Sequence, residues 1–281
     1  MRRALKIQNT EIPVVLITGA SSGLGLALGR RLIQENRFHV ILTARKSSLI
    51  RFSELGITES EKIWIRSLDV TDLEERTRLI NDIQQKLGGV DVLVNNAGYS
   101  LRAVIEHVTE TERLKQMQIN FRAPMGLIRL VLPRMREKRA GKIINISSVG
   151  GMMAMPTMAV YSASKFALEG ASESLWYEVK PWNIHVTLIQ PGFIDSSGFT
   201  RVKMSEQSKN SFEDPKDPYH QHYQSMTPFI EARMRQSFST PDTIAKKILR
   251  VIDSRNPPLR VAATMDAVIF GYLRQIGRAH V

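Results

Sequence analysis

The sequence predicts an α/β protein built on one doubly wound parallel sheet. Two observations carry this prediction: short runs of apolar and β-branched residues recur along the chain, and a stretch with helical spacing separates each run from the next. Continuous apolar runs are typical of strands that are buried on both faces of a parallel sheet. Such sheets bind ligands beyond the carboxyl ends of their strands, so the residues that follow each run form the candidate site.

The first predicted strand, residues 14–18, leads directly into a glycine-rich turn. The turn reads Gly-Ala-Ser-Ser-Gly-Leu-Gly over residues 19–25, and leucines at helical spacing follow it. Glycines permit a tight turn and let the backbone approach a pyrophosphate, whose charge then lies at the positive N-terminus of the next helix. A purely structural turn can have the same glycines, but the order strand, turn, helix favours a dinucleotide site.

The second predicted strand, residues 38–43, is followed by a cation where an NAD site has a carboxylate. Arg45 lies twenty residues after Gly25, and no Asp or Glu occurs between Asn36 and Ser53. A carboxylate binds the ribose 2′-hydroxyl of NAD, whereas the 2′-phosphate of NADP needs a cation. Arg45 therefore favours NADP(H); the alternative is a solvated arginine at a strand end.

The alternation continues through four more strands. We predict strands at residues 63–68, 90–94, 141–146 and 184–189, with a capped helix over residues 72–87. A long helix is expected over residues 109–137, with Asn120 inside it and Pro124 as a kink. The carboxyl ends of parallel strands meet at one edge of the sheet, which should bring together Gly19, Arg45, Asp69, Asn96, Ser148 and Pro191.

Tyr161 and Lys165 lie four residues apart in a small-residue run that is predicted to be helical and to extend towards Lys180 and Pro181. This spacing puts both side chains on one helical face. A phenol has an ordinary pKa of about 10, and a nearby ammonium favours the phenolate, so the pair can act as an acid and base. By itself the spacing also fits a solvated surface pair.

The polar stretch over residues 196–239 interrupts the pattern and is predicted to be a mobile, partly helical insertion that covers a substrate pocket. It contains three methionines, which ordinary core packing would also explain. His220 and His222 are only two residues apart, and no further metal ligands can be identified, so exposed loop histidines are the preferred interpretation. No metal is predicted.

The two ends of the chain are treated separately from the domain over residues 13–262. Residues 1–12 are expected to be a short leader without a core of its own. A helix is predicted over residues 241–254, an edge strand over 259–261, and the start of an apolar helix over 263–274. Residues 275–281 back-translate into the start of a common sequencing adapter, so we expect a non-native tail. The nucleotide sequence would test this expectation.

The composition is ordinary apart from its charge. The chain has 281 residues, of which 43% are hydrophobic and 23% charged, and it contains no cysteine. Disulfides, thiolate catalysis and cysteine-bound metals are therefore excluded. No apolar run reaches the roughly 18 residues of a membrane span, and no signal-peptide core follows the N-terminus, so a cytoplasmic location is expected. The net charge of +12 is spread along the chain, which argues against specific nucleic-acid binding but is compatible with association at an anionic membrane surface.

Taken in order, these motifs resemble the short-chain dehydrogenase/reductase family, from about Val14 to Val261. The stretches after Ser148 and Tyr161 are most similar to the hydroxysteroid and retinol dehydrogenase branch. The resemblance implies a single Rossmann-type domain with about seven strands and helices on both faces. It also implies cofactor contacts from Gly19, Ser21, Ser22, Gly23, Leu24, Gly25, Arg45, Asp69, Val70, Asn96, Ala97, Gly98, Tyr161, Lys165, Pro191 and Gly192.

The resemblance further assigns roles to four catalytic candidates. It implies that Tyr161 exchanges a proton with the substrate and that Lys165 lowers the tyrosine pKa and holds the nicotinamide ribose. By the same resemblance, Ser148 orients the substrate oxygen, which Tyr161 also contacts, and Asn120 supports a water path to Lys165. Ser196 is a departure, because many members have Thr there; the hydroxyl is retained.

The expected function is an NADP(H)-dependent oxidoreductase for a hydrophobic alcohol or carbonyl compound, such as a steroid, retinoid or fatty aldehyde. The family often pairs the helices over residues 109–137 and 157–180 in homo-oligomers. The alternative from another class is an NADP-binding sensor or scaffold without turnover. An intact set of Ser148, Tyr161 and Lys165 argues against that alternative, since a binding protein would not need all three.

Overall fold

The large sheet has seven strands, and each strand runs parallel to its neighbours. The structure is a computed structural model that describes residues 12–195 and 202–275. The strands of this sheet are β1 (Val14–Ile17), β2 (His39–Ala44), β3 (Ile63–Ser67), β4 (Val92–Asn95), β6 (Gly141–Ile146), β7 (Ile184–Gln190) and β9 (Arg260–Ala262). Their spatial order is β3-β2-β1-β4-β6-β7-β9, which places β4 at the centre between β1 and β6. The predicted doubly wound Rossmann-type α/β fold is confirmed.

Helices cover both faces of this sheet and define two hydrophobic cores. The helices are α1 (Gly23–Glu35), α2 (Ile50–Glu54), α3 (Leu73–Leu87), α4 (Glu110–Met117), α5 (Ala123–Lys138), α6 (Ala159–Val179), α7 (Glu206–Glu213), α8 (His220–Arg235), α9 (Pro241–Asp253) and α10 (Met265–Gln275). Apolar residues of α1, α2 and α9 pack on one face, and those of α3, α5 and α6 pack on the other. Burial of these apolar side chains is the main stabilising term for such a layered fold.

The helix predicted over residues 109–137 is an almost continuous helical run with one irregular turn. It begins at a capping box between Thr109 and Glu112, as helix N-termini favour. A π-helical turn over Gln118–Arg122 joins α4 to α5, and Asn120 lies within it. Pro124 follows this turn, and because its nitrogen carries no hydrogen it cannot donate the helical bond to the carbonyl oxygen of Asn120. The irregular turn spans residues 118–122, directly before the proline.

The predicted insertion is helical and is joined to the body of the domain by a short strand pair. β8 (Lys203–Met204) pairs in parallel with β5 (Leu101–Arg102), and α7 and α8 follow β8. The β5–β8 pair is not predicted from the sequence, because two-residue strands leave no periodic signal. Ser196 lies outside the described residues, as do the leader up to residue 11 and the suspected tail from residue 276. Among the described helices, none is long and apolar enough to cross a membrane.

Candidate active site

The glycine-rich turn after β1 is held from behind by the loop after β4. The side-chain amide of Asn96 donates to the carbonyl oxygens of Thr18 and Gly19, at 2.9 and 3.0 Å. The Thr18 hydroxyl in turn accepts hydrogen bonds from the backbone N–H groups of Asn96 and Ala97, both at 3.0 Å. Two of the predicted cofactor segments are therefore locked together through reciprocal hydrogen bonds.

Gly25 and Gly23 are required in this turn for different reasons, the first for lack of space and the second for its backbone conformation. A Cβ at Gly25 would lie 2.5 Å from Nδ2 of Asn96 and 2.6 Å from the carbonyl oxygen of Gly19, so a side chain there cannot fit. Gly23 has a φ of +54°, and no heavy atom lies within 4 Å of the position of its Cβ. Gly23 thus faces open space at the N-terminus of α1, and Ser22, the N-cap residue, makes no side-chain capping bond.

This open N-terminus fits a dinucleotide pyrophosphate. The first N–H groups of a helix have no intrahelical partner, and the helix dipole favours a negative charge there. Ser22 is exposed beside this end and Ser21 is buried, while the Leu24 side chain packs in the core. Leu24 can therefore contact a cofactor only through its backbone, as its position in the helix suggests.

The ends of β2 and β3 bring Arg45 and Asp69 close together. Arg45 is exposed directly after β2, followed by an equally exposed Lys46. The Asp69 carboxylate accepts hydrogen bonds from the N–H and hydroxyl of Thr71, at 2.9 and 2.7 Å. Burial raises the pKa of Asp69, but these bonds and the charges of Arg45 and Lys115 outweigh it and leave the pKa below its usual value. Val70 presents its carbonyl oxygen to Arg76 at 2.6 Å.

Asn120 fixes the loop that follows the Asn-Asn-Ala-Gly segment. Its Oδ1 accepts from the Tyr99 N–H at 2.8 Å, and its Nδ2 donates to the Tyr99 carbonyl oxygen at 2.8 Å and to Oγ of Ser164 at 3.0 Å. Gly98, one residue earlier, is exposed. Asn120 is 1% exposed and contacts the helix of Lys165 through Ser164. A water path from Asn120 to Lys165 stays a prediction.

Ser148 and Tyr161 meet across a glycine. A Cβ at Gly150 would lie 2.9 Å from Cε1 of Tyr161 and 3.5 Å from Oγ of Ser148, so only a glycine leaves room for the phenol and hydroxyl to approach each other. The Ser148 hydroxyl also accepts a hydrogen bond from the Gly150 N–H at 3.0 Å. Burial raises the pKa of the Tyr161 phenol, and its hydrogen bond with Ser148 offsets part of that increase.

The direction of the Tyr161 pKa shift corrects one expectation from the sequence. Burial of the phenol shifts its pKa upward, whereas the helical spacing predicts that the pKa is lowered by the ammonium of Lys165. The Lys165 Nζ lies 5.9 Å from the centre of the Tyr161 ring and donates to the carbonyl oxygen of Ile146 at 2.8 Å. Burial lowers the pKa of Lys165 itself to about 8, and the Glu169 carboxylate opposes part of that decrease.

The Pro191–Gly192 loop at the end of β7 is held by the start of α10. The Gly192 N–H donates to Oγ1 of Thr264, and the Phe193 N–H donates to Oδ2 of Asp266, both at 2.9 Å. On the other side, the Pro191 carbonyl oxygen accepts from the Val149 N–H at 2.8 Å, one residue after Ser148. The loop therefore connects the catalytic candidates to the C-terminal helix.

The sequence interpretation missed several residues that organise this site. Glu169 had a detectable signal, since it lies four residues after Lys165 on the predicted helix. Thr264 and Asp266 resemble a helix start, but nothing in their spacing points to Gly192. Such contacts join elements that are far apart in the chain and cannot be inferred from local periodicity.

The insertion is attached to the segment that follows β5 through the buried hydroxyl of Tyr223. This hydroxyl accepts from the Val104 N–H at 2.9 Å and lies 3.0 Å from Nδ1 of His107 and 2.8 Å from Oγ of Ser208. Of the two histidines considered as ligands, His220 contacts the Ser211 carbonyl oxygen. Within the described ranges, no group of three or more His, Asp or Glu residues could hold a metal ion.

Comparison with known proteins places this geometry in context. A family model described as short chain dehydrogenase matches residues 13–207. A 3-ketodihydrosphingosine reductase of Bacteroides thetaiotaomicron is 37% identical over 248 residues, which cover 88% of this chain and 86% of that protein. Retinol dehydrogenase 8 of Bos taurus is 34% identical over 252 residues, covering 88% of this chain and 80% of that protein.

Solved structures give the same result. A short-chain dehydrogenase from Streptomyces avermitilis superposes with a TM-score of 0.82 at 33% identity, covering 95% of this chain and 94% of that chain. The structure of ElxO with NADP bound superposes with a TM-score of 0.70 at 28% identity, covering 89% of this chain and 96% of that chain. Similarity to both extends over nearly the whole domain.

Proposed function

The chain belongs to the short-chain dehydrogenase family, and from this premise we propose that it is an NADP(H)-dependent oxidoreductase that interconverts a hydrophobic alcohol and its ketone or aldehyde. The observation that carries the proposal is the convergence of Ser148, Tyr161 and Lys165 at the sheet edge where the strands end, the edge that also has the open N-terminus of α1. A proton donor, an oxygen-orienting hydroxyl and an ammonium at one sheet edge are the groups that carbonyl reduction requires.

The residues of this chain support NADP(H) as the cofactor. Gly23 and the first turn of α1 would hold the pyrophosphate, and Arg45 at the end of β2 would bind the 2′-phosphate. Lys46 adds a second exposed cation at that place. The related ElxO structure contains NADP, which supports the same choice. When bound, the reduced nicotinamide supplies the hydride that adds to the carbonyl carbon.

The protein residues supply the proton and the charge stabilisation. Tyr161 donates its phenolic proton to the developing alkoxide oxygen, and Ser148 donates a hydrogen bond to the same oxygen. Burial keeps the phenol protonated, which suits its role as a donor in reduction. The Lys165 ammonium stabilises the phenolate that remains, because opposite charges attract strongly away from water. In the oxidation direction the same groups act in reverse.

The proposed substrate is a hydrophobic alcohol or carbonyl compound. Two relatives are named for 3-ketodihydrosphingosine and for retinol, and both names describe compounds with long apolar parts. The Met-bearing insertion over residues 202–239 fits such a substrate if it covers the pocket, because methionine adapts to irregular apolar shapes.

Two further proposals concern association. A groove between α5 and α6 is lined mainly by apolar side chains, which favours pairing of these helices in a homo-oligomer. Its lining includes Met125, Ile128, Leu132, Ala171 and Leu175, together with the charged Arg129, Arg136 and Glu178. We also propose a cytoplasmic location, and the net charge of +12 favours peripheral association with anionic membranes. Sedimentation and binding to vesicles with anionic lipids at increasing salt would test the two proposals.

A substrate screen distinguishes this function from a sensor without turnover. Panels of steroid, retinoid and fatty carbonyl compounds and alcohols would be tested with NADPH, NADP⁺, NADH and NAD⁺, followed at the nicotinamide absorbance. We expect turnover of at least one hydrophobic carbonyl with NADPH. Tight NADPH binding without turnover across all panels would instead favour the sensor.

A further inference from the structure

Glu169 is a buried carboxylate that lies one helical turn beyond Lys165 on α6. It is 5% exposed, and it connects α6 to two strands of the sheet. Its Oε1 accepts a hydrogen bond from Nε2 of Gln190 at 2.9 Å, and its Oε2 pairs with Nε of Arg260 at 3.2 Å. Gln190 is the last residue of β7, directly before the Pro191–Gly192 loop. Burying a carboxylate costs free energy, and the bonds to Gln190 and Arg260 offset that cost.

Lys165 faces this carboxylate in a poorly hydrated place. The lysine is 6% exposed, and within the described residues its Nζ donates a hydrogen bond to the Ile146 carbonyl oxygen. On its own helix the charged or titratable neighbours are Tyr161 and Glu169. The sheet adds three groups to this cluster around Lys165 and Glu169. Two are neutral, the Ile146 carbonyl of β6 and the Gln190 amide of β7, and the third is the Arg260 cation of β9.

The nearest charged partner of Glu169 is Arg260, and its carboxylate also acts on Lys165 one helical turn away on the same face of α6. Arg260 is 40% exposed at its side chain and also pairs with the exposed Glu173, at 2.7 Å, so solvent and Glu173 share its charge. Lys165, by contrast, is surrounded by protein, where the attraction of an opposite charge is screened less. Burial alone disfavours the ammonium, and the Glu169 carboxylate is the group that opposes this loss.

Gly151 makes room for this arrangement. A Cβ at Gly151 would lie 3.0 Å from Cγ of Glu169, 3.1 Å from the Lys165 carbonyl oxygen and 2.8 Å from Oγ of Ser147. Close packing on this side holds the Glu169 side chain along α6. The carboxylate is therefore fixed in place relative to Lys165, which is what a lasting electrostatic effect requires.

We propose that Glu169 is a positioning residue that keeps the Lys165 side chain in its ammonium form at the pH where the enzyme works. This inference rests on the proposed function, in which the Lys165 ammonium stabilises the Tyr161 phenolate. Glu169 acts through Lys165 and touches neither substrate nor cofactor. Its second bond, to Gln190, joins the same group to the strand that carries Pro191 and Gly192.

The decisive experiment compares variants that break the same ion pair from opposite sides. Carbonyl reduction with NADPH is measured from pH 6 to 10 for the wild type, Glu169→Gln, Glu169→Asp and Arg260→Met. In Glu169→Gln the lysine loses its carboxylate, so the alkaline limb of kcat should move down by about one pH unit. Glu169→Asp should restore most of that shift, and Arg260→Met, which removes a cation, should move the limb in the opposite direction or leave it in place.

A second measurement needs neither turnover nor cofactor. The unfolded pKa of Lys165 is near 10.5 and its folded pKa is about 8, so the unfolded chain binds more protons between these values. The contribution of this lysine to the free energy of unfolding therefore rises with pH across that window. It is isolated as the difference between wild type and Lys165→Met, and in Glu169→Gln the rise should begin at lower pH.

These outcomes separate the inference from the proposed function. If the wild type reduces no carbonyl, the proposed function fails, and the unfolding series still tests the link between Glu169 and Lys165. If Glu169→Gln and Arg260→Met shift the alkaline limb equally in the same direction, or if Glu169→Gln leaves the unfolding window unchanged, Glu169 has only a structural role and the inference is overturned.

Discussion

The Lys165 ammonium donates a hydrogen bond to the Ile146 carbonyl oxygen at 2.8 Å, and this bond ties α6 to the last residue of β6. Ser147 and Ser148 follow directly, so the bond fixes the height of α6 relative to Ser148. Lys165, Ser148 and Tyr161 are consequently set by one strand end, and rotation of α6 would disturb all three.

Carbonyl reduction should decline as the pH rises above about 8. Burial places the pKa of Lys165 at about 8, so the ammonium is present below that pH and lost above it. Tyr161 must also be protonated to act as the donor, and burial raises its pKa, so the phenol is lost later. The initial rate with NADPH, measured from pH 6 to 10, should show an apparent pKa that belongs to the coupled pair. A rate that is constant up to pH 10 would contradict a role for the ammonium.

Replacing Tyr161 with Phe should remove turnover but keep cofactor binding. The variant retains the ring that packs beside Gly150 and loses only the hydroxyl that carries the proton. A positioned general acid contributes about 10²- to 10⁴-fold, so the rate should fall to about 1% or less of the wild-type value. NADPH fluorescence should give an unchanged dissociation constant. Near-normal turnover would refute the proposed role of Tyr161.

Replacing Arg45 with Asp should weaken NADPH binding far more than NADH binding. The 2′-phosphate loses a cation and gains a nearby carboxylate, which should raise the NADPH dissociation constant about 100-fold. Arg255→Asp is a matched control, because Arg255 is also exposed but precedes β9, at the opposite edge of the sheet. If Arg45→Asp lowers the affinities for NADPH and NADH equally, Arg45 does not bind the 2′-phosphate.

The strands and the order of the site segments could be predicted from the sequence because their signals are local. All seven strands of the large sheet lie within two residues of their predicted bounds, since buried parallel strands are continuous apolar runs. The glycine turn, Asn96, Ser148 and the Tyr161–Lys165 pair follow from strand ends and helical spacing.

The connections between those segments could not be predicted, because they depend on contacts over long separations in the chain. The bond between Glu169 and Gln190 spans 21 residues, and the bond between Gly192 and Thr264 spans 72. The upward pKa shift of Tyr161 was not predicted either, because helical spacing shows that Lys165 is nearby but not how far the phenol is buried.

Replacing Tyr223 with Phe should loosen the insertion while sparing cofactor binding. Three buried groups, on Val104, His107 and Ser208, would lose their shared partner. Leaving buried polar groups unpaired costs about 1–3 kcal/mol, so urea unfolding should show a loss of about 2 kcal/mol. If the insertion covers the substrate, KM for the carbonyl should rise, whereas the NADPH dissociation constant should not change.

Tyr219→Phe is the matched control for that variant. Its hydroxyl donates to the exposed Glu106 carboxylate, and such a bond at the surface contributes less than about 1 kcal/mol. Equal losses of stability in the two variants would mean that the Tyr223 hydroxyl does not hold the insertion in place.

Replacing Gly25 with Ala should disable the cofactor turn. The new Cβ would lie 2.5 Å from Nδ2 of Asn96, which also donates to the Thr18 and Gly19 carbonyl oxygens, so these bonds must move. Overpacking of this kind costs about 1–3 kcal/mol, and thermal unfolding should show it. Because the turn itself shifts, NADPH affinity should fall together with stability.

Gly170→Ala is the matched control, because the same substitution is expected to stabilise the protein at this position. Gly170 is exposed within α6, and no heavy atom lies within 4 Å of its Cβ position. Alanine in an open helix interior should stabilise the protein by about 0.5–1 kcal/mol and leave NADPH binding unchanged. The two glycines therefore separate the effect of an added methyl group from the effect of a displaced Asn96. If Gly25→Ala binds NADPH as tightly as Gly170→Ala, the close approach of Asn96 to the turn is not what shapes the cofactor site.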